Sequence, residues 1–457
     1  MKIKVFFAML VCKALRLASR VLHRGGTAMP GRIALKICPE LLRVLAKDVK
    51  VVAITGTNGK TTSARMVEAA FAGEHMSYFA NRSGANLISG ITTEFVMNSS
   101  LSGKCRKEYA VIECDEAAAV RVFPQLQPKV VVVTNLFRDQ LDRYGEVTHT
   151  LENIRRALSA APDAVLCLNA DCSLTSSLAL DLPNRAVYFG IDNGAAPSHK
   201  ATELSDASHC IRCKAEYEYD YITYGHLGGF RCPKCGYRRH AADFAVTDIV
   251  EQGANGSTVV MDIRGERRIV NINLPAMYNI YNAAGAAAAI VEMGLGTDAA
   301  VNALSAFKCG FGRMEQFALG GGGTKIMLVK NPAGCNQVVE FLQNIKEKFV
   351  LVVCLNDRGA DGTDISWIWD ADFEQLPALA GKLQRVIVSG DRASDMRIRI
   401  KYSGIDDAAI ETERDYDKLV EWIAGQDEPV YIMPTYTAML ELREAVIRRC
   451  GGSEFWE

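Results

Sequence analysis

The run Val49-Lys50-Val51-Val52-Ala53-Ile54 is short, β-branched and apolar almost throughout. Strands covered on both faces, as in parallel sheets, read this way rather than as an alternation. Tyr109–Glu113, Val130–Asn135 and Ala164–Asn169 repeat the pattern, with helical stretches between them. Strands alternating with helices predict a doubly wound α/β domain. Asp243–Leu274 then alternates with a period of two around Asn255-Gly256 and Arg264-Gly265, the turn signals of β-hairpins. Tyr278–Met293 is alanine-rich and helical in pattern. Phe349–Leu355, Arg385–Ser389 and Pro429–Met433 are strand-like again, so a second α/β domain is expected in the C-terminal third. The four consecutive glycines Gly320–Gly323 read as a flexible hinge before it. No internal repeat is visible.

Two segments depart from this alternation. Met1–Arg24 is rich in Val, Phe, Leu and Ala, with Lys2, Lys4, Lys13, Arg16, Arg20 and Arg24 spread through it. A signal peptide would keep its basic residues ahead of an unbroken apolar core. Lys13 interrupts the run too early for a bilayer span of about 20 residues. Two readings stay open: a basic amphipathic helix lying on anionic lipid, or a helix packed on the next domain. From about Ala201 to Arg239 the composition shifts to Cys, Tyr, Gly and charge, which reads as an insertion. The expected division is an N-terminal amphipathic segment at 1–45, a central domain at 46–312 with an insertion at about 203–240, and a C-terminal α/β domain at 313–457.

Composition narrows the classes. With 457 residues, the chain has room for about three domains and needs no disulfide staples. Its 52 Lys and Arg against 53 Asp and Glu leave a net charge of −1. A protein built to grip nucleic acid would carry a basic excess, and no acidic disordered tail is present. Of 14 cysteines, ten are scattered and four form two close pairs. That fits a reducing, cytoplasmic setting with one metal site.

The chemistry starts where the first strand ends. Thr55-Gly56-Thr57-Asn58-Gly59-Lys60-Thr61-Thr62 follows it and opens a helical stretch. Glycines let backbone N–H groups wrap around phosphate, and the helix N-terminus adds a favourable dipole. Lys60 would reach the terminal phosphates and the Thr61 hydroxyl would hold Mg²⁺. The strict phosphate-loop spacing asks for glycine where Ile54 stands; the plainer alternative is a glycine turn between strand and helix. Cys210-x-x-Cys213 and Cys232-x-x-Cys235 lie 18 residues apart. Two such knuckles close a tetrahedral thiolate site suited to Zn²⁺, and with no open position its role is structural. Further on, Asn356–Asp370 packs two of the chain's four tryptophans and several aspartates into what reads as a strand-to-helix loop. Such loops carry binding and catalytic groups, although an Asp N-cap over packed Trp would look the same.

These motifs resemble the Mur ligases, the ATP-dependent ligases of peptidoglycan precursor synthesis. Gly56–Thr62 is their form of the loop. Val111-Ile112-Glu113 ends where they place a Mg²⁺-binding glutamate. Thr134–Gly145 is similar to their TNLxxDHLDxHG segment, Tyr278–Ala283 to HNxxNA, Gly312-Arg313-Met314-Glu315 to GRxE, and Lys330-Asn331-Pro332 to the HNP of the C-terminal domain. The resemblance implies that Asn282 contacts adenine and that Arg313 approaches the nucleotide. Departures fall on the acceptor side: Gln140 and Tyr144 replace histidines, Ile154 stands where many members carry a carbamylated lysine, and Met327 and Lys330 replace the Asp and His of DYAHNP. An ordinary amino-acid-adding ligase fits these poorly.

Asp361–Asp370, Lys330–Gln337, Pro434–Leu440 and the four-cysteine insertion together resemble one branch, the MurT family of Mur-ligase-like subunits of lipid II isoglutaminyl synthase. That resemblance spans essentially the whole chain. It implies a glutamine-dependent carbon–nitrogen ligase: ATP phosphorylates the α-carboxylate of the stem-peptide D-glutamate, and ammonia then gives D-isoglutamine. It implies ATP, Mg²⁺ and structural Zn²⁺, lipid II at the inner membrane surface, and a separate glutaminase of the GatD type. No Gly-x-Cys-x-Gly nucleophile elbow occurs here, since Cys309 and Cys335 lack the flanking glycines. The family also implies that an aspartate of this chain orients the glutaminase histidine. Asp364 is the first choice, with Asp361 and Asp370 behind it. Catalytic roles then fall to Asp364, Lys60 and Glu113. Two other classes remain at this point: a Mur-type amino-acid-adding ligase, and a zinc-ribbon ATPase that binds nucleic acid.

Overall fold

The structure, a computed structural model, describes residues 2–21, 28–82, 84–139, 147–196, 206–253, 255–307 and 313–451. Its larger sheet is built from β1 (Lys50–Thr55), β2 (Tyr78–Ala80), β3 (Tyr109–Glu113), β4 (Val130–Val133), β5 (Val165–Asn169) and β6 (Ala186–Ile191), all parallel. β7 (Glu218–Tyr224) and β8 (Leu227–Arg231) form a separate antiparallel pair. β9 (Phe244–Gln252), β10 (Ser257–Ile263) and β11 (Glu266–Ile272) extend the main sheet beyond β6, giving the order β11-β10-β9-β6-β5-β4-β1-β3-β2. The hairpins expected from the alternation therefore form, but β9 also pairs in parallel with β6 through Phe189 and Phe244. Their outer ends lie away from the covered centre, so one face meets solvent and the period-two pattern survives.

Every side chain of β4 is buried, as are residues 51–55 of β1. Helices α4 (Lys60–Gly73), α5 (Ile88–Met97) and α6 (Glu116–Leu126), with the helix Met277–Glu292, supply the apolar cover. The last of these is small-residue rich because it is enclosed on nearly all sides; only Tyr278 and Val291 of its residues are partly exposed. Ahead of the sheet, α1 (Lys2–Val21), α2 (Ala28–Ile37) and α3 (Leu41–Ala46) pack on α5 and α6. α1 sets Val5, Ala8, Met9 and Cys12 into the core, and Lys13 donates to the Ser99 carbonyl at 2.8 Å. Ile154, on the helix Val147–Ser159, is fully buried in this same core.

A second sheet contains β12 (Arg313–Phe317), β13 (Thr324–Met327), β14 (Phe349–Cys354), β15 (Leu383–Ser389), β16 (Ile410–Thr412) and β17 (Val430–Pro434), in the order β12-β13-β17-β14-β15-β16. On β14, Phe349, Leu351 and Val353 face one core while Val350, Val352 and Cys354 face another. Helices cover both faces, which is why this strand shows no polar alternation. The glycine run corrects an expectation. It is not a hinge ahead of this domain but the turn of the β12–β13 hairpin inside it, with Gly321 donating to the Gln426 carbonyl at 2.7 Å. β12, β13 and β16 are short and carried too little apolar signal to read from sequence.

Asp171, two residues past β5, ties the parts together. It is fully buried and accepts from Arg239 Nε at 2.6 Å, from Tyr281 Oη at 2.5 Å and from the Ile191 amide at 2.9 Å. Arg239 closes the inserted segment, Tyr281 belongs to the helix Met277–Glu292, and Thr223 of β7 meets Tyr281 Oη at 2.6 Å. Asp171→Ala removes a fully buried carboxylate from Arg239, Tyr281 and the Ile191 amide at once and leaves Arg239 only its contacts to Asp192 and the Ile191 carbonyl, so urea denaturation should show a loss of about 3 kcal/mol. A loss under about 1 kcal/mol would mean that these contacts do not hold the insertion to the sheet.

Candidate functional site at the phosphate loop

β1 runs into the loop 56–59 and α4 begins at Lys60. The loop is clamped by the end of β4, which explains why that strand stops at Val133 rather than Asn135. The Thr57 amide donates to the Asn135 carbonyl at 2.9 Å and the Asn58 amide to Asn135 Oδ1 at 3.0 Å. Thr134 Oγ1 donates to the Asn58 carbonyl at 2.7 Å. Gly59 has φ 87°, and a Cβ there would stand 1.9 Å from Asn282 Oδ1. Only glycine serves such a position. Asn282, the residue expected at adenine, thus packs directly on the loop and is fixed by donating to Asn279 Oδ1 at 3.2 Å.

Lys60 is buried, with Nζ donating to the Gly56 carbonyl at 2.5 Å and to Glu116 Oε1 at 2.7 Å. Burial disfavours its ammonium, but the carboxylates of Glu116 and Glu113 outweigh that and raise its pKa above the ordinary lysine value. Thr61 Oγ1 donates to Glu113 Oε2 at 2.7 Å. Glu113 is itself placed by Asn81, whose amide group takes the Glu113 N–H at 2.9 Å and donates to its carbonyl at 2.8 Å. A hydroxyl and a carboxylate side by side are hard oxygen donors of the kind Mg²⁺ takes. Asp115 caps α6 instead, accepting from Ala117 and Ala118 at 3.0 Å each.

The second domain faces this loop. Asn331 bonds Asn58, donating at 3.1 Å, and caps the helix Pro332–Gln343 by accepting from Gly334 at 2.8 Å. Lys330 Nζ pairs with Asp139 at 2.5 Å. Between the walls lies a cavity of about 920 Å³, bordered by Lys60, Thr61, Glu113, Asn282, Met327, Lys330, Asp361 and Tyr436. Its size suits a nucleotide-sized ligand. The core position of Ile154 keeps it out of this cavity. Arg313 stands on β12, but its side chain, Gly312, Gln140 and Tyr144 lie outside the described residues.

The three aspartates of the acidic segment have different surroundings. Asp361 is buried and latches two elements, accepting from the Thr437 amide at 2.7 Å and from Thr437 Oγ1 at 2.5 Å. Burial raises its carboxyl above the usual range. Asp370 pairs with Arg138 at 3.2 Å. Asp364 is partly exposed, accepts from the Ser366 amide at 2.8 Å and does not border the cavity.

In the insertion, the sulfurs of Cys210, Cys213, Cys232 and Cys235 all lie within 4.8 Å of one another. The two knuckles match. Lys214 and Gly236 donate back to the carbonyls of Cys210 and Cys232, and the Cys210 and Cys232 amides donate to Ala215 and Tyr237, both at 2.7 Å. Four converging thiols could hold one metal ion. Tyr217, Phe230 and Tyr237 pack beneath them, and Tyr237 Oη reaches the Ser173 carbonyl at 2.8 Å.

Sequence reading missed Glu116 because it lies in an ordinary-looking helix start. The Lys330–Asp139 pair was also invisible, since its partners are 191 positions apart. The Asp115-x-x-Ala118 capping pattern, which fixes where α6 begins, was the one local signal pointing toward Glu116.

Comparison with known proteins agrees with this geometry. A family model for the MurT ligase C-terminal domain matches residues 328–439, and one for the Mur ligase middle domain matches residues 54–230. The lipid II isoglutaminyl synthase (glutamine-hydrolyzing) subunit MurT of Streptococcus pneumoniae is 35% identical over 98% of both chains. Its Staphylococcus aureus counterpart is 32% identical over 97% of this chain and 98% of its own. Among solved structures, a pseudomurein peptide ligase type C from Methanothermus fervidus superposes with a TM-score of 0.64 at 22% identity, covering 88% of this chain and 79% of that one. The UDP-N-acetylmuramoylalanyl-D-glutamyl-2,6-diaminopimelate–D-alanyl-D-alanyl ligase of Acinetobacter baumannii gives 0.64 at 14% identity, over 92% and 80%. Those two show the fold, and the Mur ligase fold implies ATP and Mg²⁺. With a phosphate loop, a facing C-terminal domain and full-length relatives in agreement, the chain belongs to the MurT family of Mur-type ligases.

Proposed function

We propose that this chain is the ATP-dependent subunit that amidates the α-carboxylate of D-glutamate in the lipid II stem peptide. The observation that carries this is the phosphate loop set across a nucleotide-sized cavity from a MurT-type C-terminal domain. Lys60 and the loop amides other than those of Thr57 and Asn58, which bond Asn135, bind and orient the phosphates of ATP, and Asn282 and Arg313 serve its base and sugar side. Thr61 and Glu113 would hold Mg²⁺, which supplies charge to offset that of the phosphoryl group. The carboxylate oxygen attacks the terminal phosphorus and ADP leaves. Ammonia then attacks the carbonyl carbon of the acyl phosphate, phosphate leaves, and the amide remains. Phosphoryl transfer of this kind needs positioning and charge neutralisation above all. The burial of Ile154 in the core tells against an amino-acid-adding ligase that places a modified lysine there.

Ammonia comes from a GatD-type glutaminase subunit. Asp364 completes its triad by orienting the partner's histidine; its surroundings support this, because Asp361 is buried against Thr437 and Asp370 is paired with Arg138, whereas Asp364 accepts from the amide of Ser366, two residues on. The four thiolates hold structural Zn²⁺. The chain works in the cytoplasm against a lipid-linked substrate at the inner face of the membrane.

Three outcomes are expected. Lys60→Ala lowers amidation on the order of 10³-fold or more, with glutamine or with ammonium chloride, because both routes need the acyl phosphate; near-normal ammonium-driven turnover would remove the loop from the mechanism. Asp364→Asn lowers glutamine hydrolysis by the complex on the order of 10⁴-fold while ammonium-driven amidation survives. If both nitrogen sources fail, Asp364 belongs to the ligase site instead. Cys210→Ser or Cys232→Ser lowers bound zinc and thermal stability far more than nucleotide affinity, and wild-type protein without zinc by elemental analysis refutes the site.

A further inference from the structure

We infer that α1 is a docking surface for an anionic phospholipid bilayer. This helix has two apolar sides. One is spent inside the protein, where Val5, Ala8, Met9 and Cys12 join the core. The other is exposed: Ile3 is 73% exposed, Phe7 53%, Leu10 44% and Leu17 65%, with Phe6 beside them at 43%. Positions 3, 6, 7, 10 and 17 follow the spacing of a single helical face, about 100° wide. Single exposed apolar residues mean little, but a stripe along about 21 Å of helix marks an interaction site.

Charge selects the occupant. From residue 1 to residue 39 the chain has eight Lys or Arg and no Asp or Glu; the first carboxylate is that of Glu40. The remaining 418 residues must therefore carry an acidic excess, since the whole chain has a net charge of −1. Lys2 and Lys4 of α1 are exposed, as are Arg32 and Lys36 of α2, which packs on α1. An apolar face framed by basic residues and free of acidic ones matches an anionic lipid surface. No helix among the described residues is long and apolar enough to cross a membrane, so the contact lies in the interface plane. Because α1 packs on α2 and α5, docking it places the whole central domain at the bilayer. This deepens the proposed function by giving the lipid-linked substrate a route to the cavity, and it rests on that reading for its purpose alone.

The test is flotation of the full-length complex with vesicles of phosphatidylcholine containing 30% phosphatidylglycerol, without lipid II (roughly the anionic fraction at which basic segments bind). Binding should be at least about tenfold tighter than to pure phosphatidylcholine and should weaken in high salt. Phe7→Ser with Leu10→Gln should reduce it about tenfold or more, and Lys2→Gln with Lys4→Gln on the order of tenfold. Both pairs are exposed, so nucleotide binding and thermal stability should stay unchanged, which shows that the variants fold. Equal binding by wild type and the Phe7/Leu10 variant overturns the inference. So does wild-type protein that ignores anionic vesicles, or a stripe whose substitution dissolves a self-associated form of the chain instead. Because vesicle binding is read without substrate, failure of amidation with binding intact counts against the proposed reaction and leaves the docking surface standing.

Discussion

Everything at the site depends on how closely three elements approach the loop 56–59. The end of β4 comes in from below, the helix Met277–Glu292 touches Gly59 through Asn282, and Asn331 reaches Asn58 from the second domain. A side chain at Gly59 would overlap the Asn282 amide. The loop is therefore shaped by contacts from distant parts of the chain, with the Thr57 and Asn58 amides spent on holding it to Asn135. Preorganisation of this kind costs nothing at the moment of reaction, which is where fixed dipoles help most.

The inserted segment shares in that constraint. Its Arg239 and Thr223 meet the Asp171–Tyr281 pair, and Tyr281 immediately precedes Asn282. The four-cysteine cluster does not border the cavity, yet the segment that contains it bears on the neighbour of the residue that packs against the loop. The inserted segment and the phosphate loop are thus linked through a run of short polar contacts, from Arg239 and Thr223 through Asp171 to Tyr281, the neighbour of Asn282.

Much of this was legible in the residues. The buried parallel strands announced themselves by β-branched runs, the loop by its glycines before Lys60, and the four-thiol cluster by its paired cysteines. Local patterns of that sort depend on neighbours a few positions apart. The glycine run at 320–323 was misjudged because four glycines signal backbone freedom without saying which strands flank them; β12 is too short and polar to declare itself. Glu116, Asp139 and Asp171 escaped because a buried carboxylate looks like a surface one until its partner, tens or hundreds of positions away, is known. Asp361 and Asp364 differ by three positions and equal chemistry, and only burial separates the latch from the exposed group.

The Lys60–Glu116 pair has one more consequence. A phosphate approaching this lysine meets an ammonium that is already neutralised at 2.7 Å. On the proposed reading of Lys60 as the phosphate-binding lysine, nucleotide entry is an exchange of anionic partners, and its free energy is the difference between two strong interactions rather than the whole of one. The resting carboxylate keeps a buried cation from standing alone, which would be costly in so dry a place. The start of α6 thus holds an internal anion already seated on the lysine of the loop.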